Sequence, residues 1–423
     1  MPRTKLTLIA IVLSLSVACA LGARRAASPS PSQQPPNGPG PSAAPAPVPR
    51  EYQAVYDWLE SAIAEYRVEH AACQDSGAPG GPSFGAELLP ANGNRGAALL
   101  DPTTIDVIRL YLDSLQNIGV QGVTVQIPVP LLSADFPSSE EYLDFYRQLG
   151  EEVRRRDLSL LVEAGAVFPD PQFSGVNFDF SGFTPTTYYE ERTRELALIA
   201  AEVRPDYLSF GEEPSTERMI TGLPITAGDY ESFLRNTLQA IGESESLLGA
   251  GTGTWEDPAY YEALRGVPGL DFIDLHVYPL RSERADFFAR TAEIGREATA
   301  NGQRVLIGET WLYKVLPSEL GRVPYQEAYA RDPFSFWAPL DSEYLRAVGC
   351  IAREGDFEYV SFFWSGLFFS YLDYDETPRD LTPVELVQAT NRAVLAELLA
   401  GGLSPTGSAY QELLQDLGSG KAP

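Results

Sequence analysis

Two glutamates stand where a short apolar run of the sequence stops abruptly. Glu213 lies near the end of residues 207–214, where aromatic and aliphatic residues give way to Gly, two carboxylates and Pro. Glu309 lies near the end of a similar run, residues 305–311. Two carboxyl groups that share one site can divide a reaction between them, one as a protonated acid and the other as an ionised nucleophile. That chemistry requires a fold that brings the two side chains together.

The runs that carry these glutamates belong to a set of eight. Each is rich in Val, Ile, Leu or Phe and lacks polar alternation, as expected of strands that are buried on both faces. The segments between the runs have helical periodicity. The predicted strands are residues 83–88, 120–127, 158–163, 207–211, 247–251, 272–277, 304–308 and 358–364.

Eight strands that alternate with helices predict an α/β fold, a (β/α)8 TIM barrel. A helix over residues 51–73 should cover the bottom of the barrel. A doubly wound open sheet is the alternative, because the count of eight depends on the weakest strands, 83–88 and 247–251. No Gly-rich dinucleotide fingerprint follows any strand. Two long βα loops, residues 168–182 and 310–341, are rich in aromatic residues and Pro and should form walls over the mouth.

In such a barrel the carboxyl ends of the strands meet at one face, which is where the chemistry is placed. An interval of 96 residues separates Glu213 from Glu309, equal to three βα units of about 32 residues, which assigns them to strands four and seven. Burying many carboxylates is costly unless each is hydrogen-bonded or protonated, and folds tolerate that cost mainly at functional sites. The strand ends supply Glu87, Glu163, Glu212, Glu213, His276, Tyr278, Glu309, Trp311 and Trp364.

The order of these motifs resembles the large clan of retaining glycoside hydrolases built on a (β/α)8 barrel, which includes cellulases, mannanases and galactanases. The resemblance covers roughly residues 82–399. It rests on Glu-Pro after strand four, His-x-Tyr-Pro on strand six, Gly-Glu-Thr-Trp on strand seven and an aromatic residue before Trp on strand eight. It implies that Glu213 is the acid/base and Glu309 the nucleophile. It also implies that His276 and Tyr278 line the same site and that Trp364 forms the floor under the sugar. We expect His276 and Tyr278 to orient the Glu309 carboxylate.

One position departs from the clan pattern. Glu212 stands where these enzymes usually have the Asn that binds the sugar 2-hydroxyl. A carboxylate cannot donate a hydrogen bond unless it is protonated, and a second charge beside Glu213 would raise the proton affinity of the pair. Either the substrate differs at that carbon, or the acid is tuned differently, or activity is lost. We interpret Glu212, Glu87 and Trp311 as further substrate-binding residues.

The sequence therefore predicts a glycosidase that cleaves β-linked polysaccharides or oligosaccharides by a two-glutamate double displacement. We expect it to be a monomer that needs no cofactor and no metal. Two alternatives stay open. One is a metal-dependent barrel with Glu163, Glu213, His276 and Glu309 as ligands. The other is a carbohydrate-binding barrel that has lost catalysis.

Charge and the amino-terminal residues indicate the surroundings of the protein. A formal net charge of -27 argues against nucleic acid or an anionic membrane surface as a partner. Residues 1–25 have the basic start, apolar run and small residues of an export signal. Lipidation of Cys19, plain cleavage after Ala20 or Ala23, and an uncleaved anchor all remain open. Residues 26–50 predict a disordered linker rich in Pro, Ala and Ser, and residues 51–423 the catalytic domain of an exported, extracellular or surface-anchored protein.

The two cysteines other than Cys19 leave one further alternative. Cys73 and Cys350 can form a disulfide in an oxidising compartment. Two buried free thiols are the other interpretation of the same pair.

Overall fold

Eight parallel strands close into a barrel in the order of the sequence. The structure is a computed structural model that describes residues 46–69, 73, 81–170, 174–283, 285–375, 379 and 381–417. It confirms the (β/α)8 barrel and all eight predicted strands, and it excludes the open sheet. The strands are β1 Ser83–Glu87, β2 Gly122–Gln126, β3 Ser159–Glu163, β4 Tyr207–Ser209, β5 Leu247–Gly253, β6 Phe272–Val277, β7 Arg304–Thr310 and β8 Tyr359–Phe362.

Helices surround the barrel in the described part of the chain. Several begin where the sequence supplies a Thr cap followed by Pro or an acidic residue, as at Thr184, Thr226 and Thr382, whose hydroxyls accept from backbone N–H groups of the first turn. The α-helices are α1 Gln53–Glu69, α2 Thr104–Asn117, α3 Ser139–Arg154, α4 Pro185–Leu198, α5 Pro214–Thr221, α6 Ala227–Ile241, α7 Pro258–Arg265, α8 Phe287–Ala300, α9 Tyr325–Tyr329, α10 Ala338–Glu354, α11 Pro383–Ala400 and α12 Pro405–Leu417.

The inside of the barrel is apolar at one end and acidic at the other. A separate buried cluster of Leu161, Phe272, Leu306 and Tyr359 fills its lower part. Alternate residues of a strand share a face, so Glu163 lies above Leu161 on the inner side of β3, in the layer nearer the carboxyl ends of the strands. Apolar packing thus forms a closed floor beneath the polar residues of the mouth.

The amino-terminal helix corrects one expectation. Helix α1 lies on the outer wall of the barrel and not beneath it. Its Tyr56 ring stacks on Trp337 at the start of α10, with ring centroids 5.7 Å apart, and Tyr66 packs edge-on against Phe288 of α8. The apolar stripe predicted from the sequence therefore packs against outer helices.

The two cysteines of the barrel domain form a disulfide. Cys73 is bonded to Cys350 of α10, with Cα atoms 5.7 Å apart and a sequence separation of 277. The bond resolves the alternative of two free thiols, and it fastens the segment that follows α1 to the barrel wall.

The predicted export signal, residues 1–25, and Cys19 lie outside the described residues, as does nearly all of the predicted linker. Export, lipidation and the linker therefore stay predictions. None of the described helices combines the length and the apolar character that a membrane span requires.

Candidate active site

Three side chains meet at the carboxyl-end face of the barrel. His276 is the central residue of the three, and its Nδ1 atom lies 2.8 Å from Oε1 of Glu213 and 4.0 Å from Oε1 of Glu309. The sum of those two distances limits the separation of the two glutamate oxygens to about 6.8 Å. Strand β6 sets this geometry, because His276 pairs in register with Glu309 of β7, while Glu213 directly precedes α5.

Glu309 is held by two hydrogen-bond donors. The Tyr278 hydroxyl donates to Oε1, and Nε2 of Gln126 donates to Oε2 over 2.9 Å. Both bonds favour the ionised carboxylate and fix its orientation. Burial, together with the charges of Glu163 and Glu213, acts in the opposite direction and raises the pKa of Glu309 to about 8.

More carboxyl groups lie in the same buried layer. Oδ1 of Asp274 accepts from the backbone N–H of Gly308 over 2.9 Å, and Oε1 of Glu163 lies 3.3 Å from Nε2 of His276. A Cβ atom at Gly308 would clash with both carboxyl groups, so only glycine fits this position of β7. Burial and the charge of Glu163 raise the pKa of Asp274 to about 7. These groups cannot all be ionised side by side, and the layer must hold protons at neutral pH.

His276 is the cation of this layer. Burial alone lowers its pKa, but the charges of Glu163 and Glu309 and the hydrogen bonds to Glu163 and Glu213 together raise the pKa well above its usual value. Both ring nitrogens face carboxylate oxygens, which suits an imidazolium that donates from each nitrogen. An imidazolium here partly offsets the surrounding negative charge.

Glu212 lies in the cavity beside this cluster. Its Oε1 accepts from the backbone N–H of Ala164 over 3.1 Å, and only 7% of the residue is exposed. Burial and the charge of Glu163 raise the pKa of Glu212 well above its usual value. A protonated Glu212 can donate a hydrogen bond, as an amide does.

A cavity of about 500 Å³ opens above the cluster. Its polar lining includes Glu212, Glu213, His276, Glu309 and Gln126. Aromatic residues of the long loops and of the segment after β8 complete the walls: Phe168, Tyr325, Tyr329, Phe363 and Trp364. The Trp364 ring packs edge-on against Tyr329, with centroids 5.9 Å apart.

Solved structures share this architecture. The chain is similar to the exo-β-1,4-mannosidase Op5Man5 from Opitutaceae bacterium strain TAV5, with 17% identity and a TM-score of 0.52 over 81% of this chain and 61% of that one. It is also similar to a GH5_18 protein from Bifidobacterium longum subsp. longum ATCC 55813, with 13% identity and a TM-score of 0.53 over 79% of each chain. The fold is that of these glycoside hydrolase barrels.

Other comparisons limit how far the likeness extends. A variant of the GH5_18 protein has been solved in complex with Manβ1-4GlcNAc, and it matches this chain with 13% identity and a TM-score of 0.53 over 81% of this chain and 79% of that one. The present chain spans about 61% of the length of the mannosidase. No protein-family model matches the sequence, and no curated protein does either.

Two expected substrate-binding residues do not reach the cavity. The Trp311 ring is 1% exposed and packs against Phe368, away from the cavity. Glu87 is fully buried at the end of β1 and accepts from Nδ2 of Asn92 over 3.3 Å. The expectation for His276 is corrected in part, because its hydrogen bonds are to Glu213 and Glu163 and not to Glu309. Tyr278 contacts Glu309 as expected.

Sequence reasoning missed other lining residues. Gln126 ends β2 within an apolar run. An amide at the end of a buried strand is unusual, and that signal could have identified it. Asn92 and Arg95 follow β1 in a stretch with no recognisable motif. The apolar spacing of helix α11 is the same as that of a helix that packs against the core, so the sequence does not indicate that this face lines a cavity.

The metal alternative has one observation in its favour. Possible ligand atoms of Glu163, His276 and Glu309 lie within 4.8 Å of one another, and all three residues are buried. A metal ligand must be a neutral imidazole, however, whereas the carboxylates around His276 favour its protonated form. Gln126 and Tyr278 also donate hydrogen bonds to the two carboxyl oxygens of Glu309, one to each. The arrangement fits an imidazolium better than a metal ion.

Proposed function

We propose that this protein hydrolyses β-glycosides with retention of configuration. Glu309 attacks the anomeric carbon and forms a glycosyl-enzyme. Glu213 protonates the leaving oxygen, and it then accepts a proton from the water that releases the sugar. Gln126 and Tyr278 hold the Glu309 carboxylate in position for attack.

The observation that carries this proposal is the spacing of the two glutamates around His276. Retaining enzymes keep their carboxyl groups about 5–5.5 Å apart, and inverting enzymes about 6.5–9.5 Å apart. The Oε1 atoms of Glu213 and Glu309 lie at most about 6.8 Å apart, a bound that includes the retaining separation. The fold shared with a β-mannosidase supports testing β-mannosides among the first substrates.

The test is turnover of aryl β-mannosides, β-glucosides and β-galactosides, with the anomer of the first product followed by NMR. Glu309→Gln should abolish turnover while thermal unfolding stays cooperative. Glu213→Ala should retain the first step with good leaving groups, and azide should partly restore its turnover as a β-glycosyl azide. A first product of inverted configuration contradicts the mechanism. Failure to turn over any glycoside favours the carbohydrate-binding alternative.

A chelator distinguishes the metal-dependent alternative from the two-glutamate mechanism. Turnover that is unchanged after exhaustive dialysis against EDTA excludes it. Turnover that disappears with EDTA and returns with a divalent cation would favour Glu163, His276 and Glu309 as ligands instead.

A further inference from the structure

The cavity has two walls of different chemistry. The carboxylates of the strand ends form one wall. The other is a single face of helix α11, whose lining residues recur every three or four positions over nearly four turns, about 21 Å along the helix axis. These residues are Val384, Val387, Gln388, Asn391, Val394, Leu395 and Leu398.

This wall of α11 is mostly aliphatic. Five of its seven lining residues are Val or Leu. Leu89, Ala98 and Val107 add aliphatic surface from the β1 loop and α2. A helix normally packs such a face against the core. Here Val384 and Val387 are each 37% exposed, whereas Val394 and Leu398 are buried in the core, and all four line the cavity.

A smaller cavity of about 50 Å³ adjoins this wall. It shares Trp364, Val387 and Val394 with the large cavity and adds further apolar lining from Leu367 and Leu386. The two cavities are therefore neighbours that share the Trp364 ring in their lining. The aliphatic wall and the catalytic carboxyl groups belong to one connected region.

Sugar hydroxyls are poor occupants of this region, because each hydroxyl removed from water needs a hydrogen-bond partner. Gln388 and Asn391 are the polar side chains that the helix face contributes. An alkyl chain needs no such partners, and each buried methylene should raise affinity by up to about fourfold. The acidic cluster and the net charge of -27 disfavour an anionic amphiphile.

We propose that the α11 wall binds an aliphatic group carried by the substrate, so that the protein acts on neutral alkyl glycosides or neutral glycolipids. The sugar lies over Glu213 and Glu309, and the alkyl chain lies along Val387 and Val394. This inference rests on the proposed glycosidase function for its chemistry, but the binding of the alkyl chain can be measured without turnover.

The first measurement uses 1-decanol, which carries no sugar, and the full chain with Glu309→Gln. Decanol should displace the neutral dye N-phenyl-1-naphthylamine, and Val387→Asp in the same background should weaken decanol at least tenfold. Leu403→Asp is the matched control, since Leu403 is 38% exposed and does not line either cavity. Equal affinity in all three proteins, or no binding of decanol, overturns the proposal.

The second measurement compares methyl and decyl β-glycosides of one sugar, below the micelle concentration, with the unmodified active site. A decyl chain should lower KM at least tenfold. If aryl glycosides are hydrolysed but methyl and decyl glycosides have equal kcat/KM, the alkyl site is wrong and the glycosidase function stands. If decanol binds at Val387 but no glycoside is hydrolysed, the alkyl site stands and the glycosidase function is wrong.

Discussion

Tyr278 and Gln126 donate the two hydrogen bonds that favour the ionised form of Glu309. Burial and neighbouring carboxylates nevertheless raise the pKa of Glu309 to about 8. In the proposed mechanism only the ionised form can attack, so kcat/KM should rise as the pH rises towards about 8. This acidic limb lies well above that of an ordinary glutamate, whose pKa is about 4.3.

Tyr278→Phe should move that limb to higher pH. The variant removes a donor that stabilises the carboxylate, so the pKa of Glu309 rises further. The measurement is the pH profile of kcat/KM. Tyr313→Phe is the control, because this neighbouring ring packs edge-on against Tyr278 and its hydroxyl makes no bond to Glu309 in the described structure. A limb that moves to lower pH in Tyr278→Phe contradicts the assignment.

We expect Glu212 to hold its proton to higher pH than an ordinary glutamate does. Burial and the charge of Glu163 favour its protonated form, so Glu212→Gln should retain kcat/KM within about tenfold, since an amide has a similar shape and its NH2 group also donates hydrogen bonds. Glu212→Ala should lose about 10²-fold, the scale of a lost donor at a reacting centre. A Gln variant as weak as the Ala variant shows that the charge of Glu212 is needed.

Sequence reasoning at this scale found which carboxyl groups converge but not which way each side chain points. Glu213 and Glu309 follow from strand order, because strand ends meet at one face of a barrel. Trp311 was misassigned because it follows the end of β7, where the strand no longer determines the direction in which a side chain points. The raised pKa values of the buried carboxyl groups depend on distances of a few ångströms between strands, which no sequence pattern records.

Among the elements, the long loop between β7 and α10 is fastened by a buried ion cluster. Nζ of Lys314 lies 2.6 Å from Oδ1 of Asp332 and 2.7 Å from Oδ1 of Asp341, and all three side chains are nearly inaccessible. The same loop carries Tyr325 and Tyr329 to the cavity wall. The cluster therefore holds one side of the cavity in place.

Lys314→Met should lower the free energy of unfolding by about 3–5 kcal/mol, because it leaves two buried carboxyl groups without their cation. Adding Asp332→Asn and Asp341→Asn should recover much of that loss. Denaturant unfolding measures both. Arg346→Met, which removes a more exposed ion pair with Glu412, should cost at most about 1 kcal/mol. Equal costs at the buried and exposed pairs contradict the role of the cluster.

The elements themselves were largely predictable. All eight strands were predicted from short apolar runs, because strands buried on both faces lack the alternation of apolar and polar residues. The position of α1 was not predictable, since an apolar stripe shows that a helix packs but not against what. Tyr56 and Tyr66 find their partners on α10 and α8, far away in sequence.

For the whole molecule, buried carboxyl groups make stability depend on pH in an unusual direction. Burial raises the pKa to about 8 in Glu195 and Glu309, and to about 7 in Glu256, Asp274 and Asp332. In the unfolded chain these groups titrate near 4. Between about pH 5 and 8 the folded protein thus binds more protons than the unfolded chain, so stability falls as pH rises.

Tm should therefore be higher at pH 5 than at pH 8. The raised pKa of His276 acts in the same direction, because its stabilisation is lost as pH rises through the folded-state value. Calorimetry at both pH values with 0.5 M salt added separates this effect from surface repulsion, which salt screens. A Tm that rises from pH 5 to pH 8 would show that these groups are ionised in the folded state.

The disulfide also determines how the molecule carries load. A pull applied between α1 and α12 enters at Cys73, crosses to Cys350 through the sulfur atoms and leaves towards the carboxyl end of the chain. The 277-residue interval between the two cysteines is a covalent loop outside that path. Strands β1 to β7, with Glu213, His276 and Glu309, lie within the loop. Tension along the chain therefore bypasses these three residues while the bond is intact, and reduction places all of them in series with the applied force.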